Sequence, residues 1–111
     1  MAAEFKIKKT ANGQFMFNLK AANGETILTS EMYKSKSGCM NGVRSVKENA
    51  QIPERFKKMT AINGSPYFVL RAGNNKVIGK SEMYSSTFAM ENGIQSVSSN
   101  APYADVVDLT E

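Results

Sequence analysis

Two stretches decide how this chain is read: NGETILTSEMY at Asn23–Tyr33 and NNKVIGKSEMY at Asn74–Tyr84. Both end in the same four residues, 51 positions apart. Working outward at that spacing, Asn12-Gly13 falls on Asn63-Gly64, and Phe17 and Leu19 on Phe68 and Leu70. Asn41-Gly42 falls on Asn92-Gly93, Ser45-Val46 on Ser96-Val97, and Asn49-Ala50 on Asn100-Ala101. Without a gap, residues 5–50 match residues 56–101 at 20 of 46 positions. That is an internal duplication, and a repeat of this kind governs the fold. Two copies are too few for a solenoid, so they are expected to pack about a pseudo-twofold axis, like a homodimer fused into one chain.

Within a copy the pattern is a meander followed by a helix. Phe5-Lys6-Ile7-Lys8 alternates apolar and polar, the period of a half-buried strand. Ala11-Asn12-Gly13 is a turn, because Asn and Gly accept positive φ cheaply. Phe15, Phe17 and Leu19 alternate with Met16, Asn18 and Lys20 as a second strand with one oily face. A turn at Asn23-Gly24 and a short strand around Ile27 follow. After Tyr33 the period changes. Cys39, Val43 and Val46 form a helical stripe, as do Met90, Ile94 and Val97. A Ser or Thr near 35–37 and 86–87 is the expected N-cap, and Asn49 and Asn100 stand where a left-handed C-cap would end the helix. Gly42 and Gly93 lie inside the helices at a cost of about 1 kcal/mol each. Their duplication predicts close approach to a backbone, that of the sheet.

The expected fold is α+β: two tandem β-β-β-α units sharing one antiparallel sheet, helices on one face. The repeats run from about 4 to 52 and from 55 to 111, within one domain of residues 1–111. QIPER (51–55) joins them, and Asp105–Leu109 reads as a final strand. Pro66, where copy one has Phe15, predicts an edge or a strand start, since proline cannot donate to a ladder.

The 111 residues include no histidine, which removes the usual general base near neutral pH and the commonest metal ligand. Ser-His-Asp and Cys-His nucleophile pairs and Cys/His zinc sites are excluded. No cofactor and no metal are expected. A lone Cys39 cannot close an internal disulfide, which agrees with a reducing, cytoplasmic setting. The start carries no secretory pattern and no run is long and apolar enough to span a bilayer, so no membrane is expected. Net charge is +4, and residues 1–52 carry it: eight bases against four acids, while residues 53–111 hold six of each.

The pattern F…NG.F.F.L.A.NG..I..SE.Y.S…NG..SV..NA, present twice from Phe5 to Ala101, resembles the YegP family of small bacterial proteins of uncharacterised function. The resemblance implies a β3α unit with a following strand, two units in one antiparallel sheet, and exchange of the C-terminal strand between units. It implies no catalytic residue. Pro66 departs from the pattern's aromatic and Asn75 from its glycine.

Two sets of residues are candidates for contact with a ligand or partner. Glu31 and Glu82 are the only acids identical in both copies. With Tyr33 and Tyr84 they could line a small-ligand or catalytic site if the copies bring them together. Their simpler role is to fasten the turn into the helix: the carboxylates accept backbone N–H groups, and the rings are buried. The second set, Lys6, Lys8, Lys20, Lys57 and Arg71, would form a basic platform on the sheet face away from the helices, suited to a protein or other anionic partner, or to weak non-specific nucleic acid. The methionines, including Met32 and Met83, read as core filler, and Cys39 as a buried thiol. The expected protein is a non-enzymatic interaction module, a monomer that behaves as a pseudo-dimer. A ligand-binding protein or enzyme using the Glu31/Glu82 and Tyr33/Tyr84 pairs is the alternative.

Overall fold

A computed structural model describes residues 2–110. The first repeat contributes β1 (Glu4–Lys9), β2 (Phe15–Lys20), β3 (Thr26–Ser30) and α1 (Lys36–Asn49). A single 3-10 turn at Pro53–Arg55 leads into the second, with β4 (Phe56–Thr60), β5 (Pro66–Arg71), β6 (Val77–Lys80) and α2 (Thr87–Asn100). A second 3-10 turn then delivers β7 (Asp105–Asp108).

All four hairpins are built alike. In the first, the Thr10 N–H donates to the Gln14 carbonyl at 2.7 Å and the Gly13 N–H to the Thr10 carbonyl at 3.0 Å. That is a three-residue loop, a type I turn followed by one left-handed residue. The left-handed position is Gly13, Gly24 and Gly64 in three hairpins, and Asn75, at φ 68°, in the fourth. Asparagine tolerates that region better than other side chains, so losing the glycine leaves the turn type unchanged. β5 begins at Pro66, as its missing donor requires.

The strands lie in the order β4-β5-β6-β3-β2-β1-β7. The repeats meet where β3 pairs antiparallel with β6, Thr29 opposite Lys80. The expectation of a purely antiparallel sheet is corrected at one edge. β7 runs parallel to β1, Phe5 opposite Val106 and Ile7 opposite Asp108, so the sheet is mixed. Hairpins force antiparallel neighbours, but β7 is reached by way of α2 and is free of that constraint. The strand exchange runs one way: the tail of the second repeat covers the edge of the first.

Both helices pack on one face. α1 touches β2 of its own repeat and β5 and β6 of the other; α2 touches β5 and β3. One continuous core results, with Phe5, Ile7, Phe17, Leu19, Leu28, Val43, Val46, Phe68, Leu70 and Val97 fully buried or nearly so. At the pseudo-axis the repeats cannot be identical. Leu28 and Gly79 are equivalent positions, and a Cβ on Gly79 would lie 2.7 Å from the Leu28 side chain. One large residue fits there, and its twin has given way.

Ser35 and Ser86 cap the helices, accepting the N–H of Gly38 at 3.0 Å and of Ala89 at 3.1 Å. The C-terminal expectation is corrected. Ala50 and Ala101 end the helices in right-handed geometry. Asn49 and Asn100 instead turn inward, each donating from Nδ2 to the carbonyl one turn back, Ser45 and Ser96, at 2.8 Å. Pro53, three residues after Ala50, starts one 3-10 turn, and Pro102, next after Ala101, lies in the first positions of the other, so no left-handed residue is needed to leave the helix.

Candidate binding surfaces

The repeated Ser-Glu-Met-Tyr is a joint, and its serine is the fastener. Ser30 is buried at the end of β3. Its Oγ accepts the Phe17 N–H at 2.9 Å and donates to the Glu31 carbonyl at 2.7 Å. Ser81 does the same for Phe68, at 3.0 Å, and Glu82, at 2.8 Å. The hydroxyl satisfies an N–H as the chain leaves the sheet, which a buried donor requires. Glutamate was expected in that role, but Glu31 and Glu82 are exposed. Strand parity carried a signal that pointed to serine: a small polar residue on the oily face of β3 must bond to backbone.

The tyrosine explains the helix glycine. Tyr33 stacks on Phe17 with ring centroids 6.4 Å apart and planes 11° apart, and Tyr84 stacks on Phe68 at 6.3 Å and 11°. Each ring then runs under its helix, where a Cβ on Gly42 or Gly93 would overlap the tyrosine hydroxyl. The close approach is therefore to a side chain, not to the sheet backbone. Burial first, with nearby acids, raises both tyrosine pKa values; the Cys39 thiol adds to the effect at Tyr33. Both phenols are therefore neutral at physiological pH. Met32 and Met83 are corrected from core filler to half-exposed surface, 52% and 48% accessible. They follow the joint serine by two, where the chain has already left the core.

Two grooves flank the joints, related by the repeat. One, of about 650 Å³, sets Glu31, Tyr33 and Ser45 against Lys76 and Ile78. Its twin, of about 670 Å³, sets Glu82 and Tyr84 against Glu25 and Ile27. Each joint thus faces a hairpin of the other repeat, and each groove holds one glutamate of the pair. Lys76 and Glu25 are equivalent positions of opposite charge, so the twins differ electrostatically. Cys39 is fully buried, and desolvation, then Asp108, pushes its thiol up to about 11. Among the described residues, no group of three or more His, Cys, Asp or Glu could hold a metal ion, and no helix is long and apolar enough to cross a membrane.

The sheet face opposite the helices is open, and one row of residues crosses all seven strands. From edge to edge it reads Val107, Lys6, Asn18, Thr29, Lys80, Val69 and Lys57. Strands about 4.8 Å apart put Lys80 about 14 Å from Lys6 and about 10 Å from Lys57 along the row. Alternation adds Lys8, Lys20 and Arg71 to this face. All four lysines and the arginine of the predicted platform therefore share it. Sequence reading missed Lys80, which lies over the Tyr67 ring at 5.0 Å; its strand is too short for alternation to be read. Glu4 and Asp105 are neighbours at the β7 edge, and Glu4 sits 3.9 Å from Lys6. The positive charge is thus least opposed toward the middle and the β4 side.

Two such units on one sheet define a class of tandem β3α proteins, and comparison with known proteins agrees. The model of a domain of unknown function, DUF1508, matches twice, at residues 11–56 and 61–108. The UPF0339 protein of Shewanella oneidensis is 51% identical over 99% of this chain and 100% of its own. YegP of Escherichia coli is 47% identical over 99% and 100%. The solution structures of a Shewanella oneidensis UPF0339 protein and of Escherichia coli YegP superpose with a TM-score of 0.92 each. They are 50% and 47% identical; the matches cover 98% of this chain and 92% and 94% of theirs. The chain belongs to the UPF0339 family, with two DUF1508 repeats. Its relatives are uncharacterised, and they indicate no specific function.

Proposed function

We propose that this chain is a non-enzymatic cytoplasmic binding module whose open sheet face engages an anionic partner. One observation carries the reading. The row Lys6–Lys80–Lys57, flanked by Lys8, Lys20 and Arg71, sets six cations against Glu4 and Asp105 on a face that no helix covers. Charge on such a platform gives salt-sensitive association with little sequence preference. Among the described residues, Tyr67 is the one aromatic ring of this face, which offers little for base stacking.

The test uses two fluorescent probes at low salt, a single-stranded polyuridine RNA and polyglutamate. Binding that weakens with salt supports the reading, and the probe that binds more tightly names the partner class. For RNA, replacing Lys6, Lys57 and Lys80 together by glutamine lowers the slope of log affinity against log salt by about 2. No binding of either probe ends the proposal.

A second reading places a small ligand in the Tyr33 groove, with Glu31 and Tyr33 as contacts and Glu82 and Tyr84 as their twins. Its support is size, since about 650 Å³ lies within the range of ligand pockets. A compound screen by thermal shift tests it: a hit must lose its shift in Tyr33→Ala and keep it in Tyr84→Ala.

A further inference from the structure

The two outer edges of the sheet are equivalent by the repeat but are finished differently. At one edge β7 lies along β1. Val106 stands opposite Phe5 in the register, Asp108 beside Ile7, and the Leu109 N–H donates to the Ile7 carbonyl at 2.9 Å. Phe5 and Ile7 are fully buried there. At the other edge β4 is the last strand. Phe56, the twin of Phe5, is half-buried, and Lys58, the twin of Ile7, is exposed. A cleft of about 220 Å³ lies between β4 and α2, lined by Phe56, Lys58, Glu91 and Ile94 among others. It opens beside the sheet edge equivalent to the one that β7 covers in the first repeat, and its helix side is open where Lys47, the twin of Ser98, lies over Phe5.

We propose that this cleft and edge form a docking slot for an extended acidic segment of a partner protein, added parallel to β4. The backbone suits it. The Ile7 carbonyl points outward to β7, so the carbonyl of its twin Lys58 points outward too. Thr60, two residues on, turns its ladder groups the same way, since its partner Pro66 gives its carbonyl to Tyr84 on the far side. Strand addition takes its affinity from such main-chain groups and its specificity from alternate side chains.

The chemistry of the occupant follows from the register of β7. An apolar residue would stand beside Phe56 and Ile94, as Val106 stands opposite Phe5. An acid two residues later would stand beside Lys58, as Asp108 stands beside Ile7. The acid that precedes the apolar residue faces Glu4 in the first repeat, and Arg55, whose guanidinium turns inward to Asn49 at 2.8 Å, takes that position in the second. The like charge is removed. β4 itself, FKKMT, carries two lysines and no acid. The Lys58–Glu91 ion pair does not hold the slot shut. Both side chains are about half exposed, and pairs of that kind contribute little. The chain's own tail is committed elsewhere, since Asp108 pairs with Lys36 at 2.8 Å, so the occupant is a partner's segment.

The probe is a synthetic peptide of the tail sequence, ADVVDLTE, titrated into the full chain and followed by amide NMR. Saturable shifts centred on Lys58 and Thr60 are expected. They should be absent with the charge-reversed peptide AKVVKLTE and weakened roughly tenfold in Lys58→Glu. Lys58→Pro removes an outward N–H, which an edge strand tolerates, and should abolish binding with the circular dichroism unchanged. If that variant unfolds, Lys58→Glu carries the test. No shift at millimolar peptide overturns the proposal, as do shifts confined to β1 from a peptide that displaces β7. A concentration-dependent dimer in light scattering that the peptide dissolves also overturns it, because the occupant is then a second copy.

Discussion

The first and second repeats share most of their local devices and differ chiefly where they meet something outside themselves. Both close their hairpins with the same turn, fasten the strand end with a serine hydroxyl and slide a tyrosine under a helix glycine. At the axis, Leu28 faces Gly79. At the edges, Phe5 and Ile7 lie on a strand flanked by β7, while Phe56 and Lys58 lie on one that meets water. At the strand start, Phe15 exchanges two hydrogen bonds with Tyr33, at 2.7 Å each, and Pro66 can only accept one from Tyr84, at 2.9 Å. Duplication inside one chain removes the obligation to be symmetric. Divergence has used that freedom at the axis, the rims and the start of β5, and has kept the serine and the stacked tyrosine of each joint.

The comparison breaks most sharply at the axis. Gly79→Leu restores the symmetric sequence and should cost about 3 kcal/mol by overpacking against Leu28. Adding Leu28→Gly should recover much of that loss, and chemical denaturation of the two single variants and the double variant measures the coupling. Additive losses would mean that the two sites do not share one space.

The joints should behave as equals. Gly42→Ala and Gly93→Ala each push a Cβ into a stacked tyrosine, and each should cost about 2 kcal/mol in urea melts. A difference above about 1 kcal/mol between them would show that one joint holds the fold more than the other. Ser30→Ala and Ser81→Ala each strand a buried N–H, of Phe17 and of Phe68, and should cost about 1.5 kcal/mol.

The smallest effect is a pH dependence specific to one repeat. The Cys39 thiol is raised in the fold to about 11 from 9.0, so folding favours its protonated form. That contribution is complete below pH 9 and is lost as pH rises through 11. Melting temperature should therefore decline over that window, and Cys39→Ala should decline less. Its twin is Met90, so repeat two supplies no thiol. A further fall above pH 10, from Tyr33 and Tyr84, should survive in the variant.

The elements were legible in the sequence because their causes are local. Alternation around Phe17 marked a strand, Asn-Gly pairs marked turns, and the Cys39–Val43–Val46 spacing marked a helix. The repeat itself implied one shared sheet. What stayed hidden depends on partners distant in the chain. Nothing near Gly42 reveals that Tyr33 will lie beneath it. Nothing in GKSEMY says that Gly79 makes room for Leu28, and no period sets β7 parallel to β1. The basic platform was legible from parity in β1 and β2. Lys80 was not, because four residues of β6 are too few to establish a face.

The Leu28–Gly79 contact has a further consequence. Two first halves brought together would press leucine against leucine, and two second halves would leave a hole at the centre. Each half accepts only the other. The contact works as a mating rule, and it fixes the composition of the pair at one of each even though the surfaces around it have stayed nearly the same.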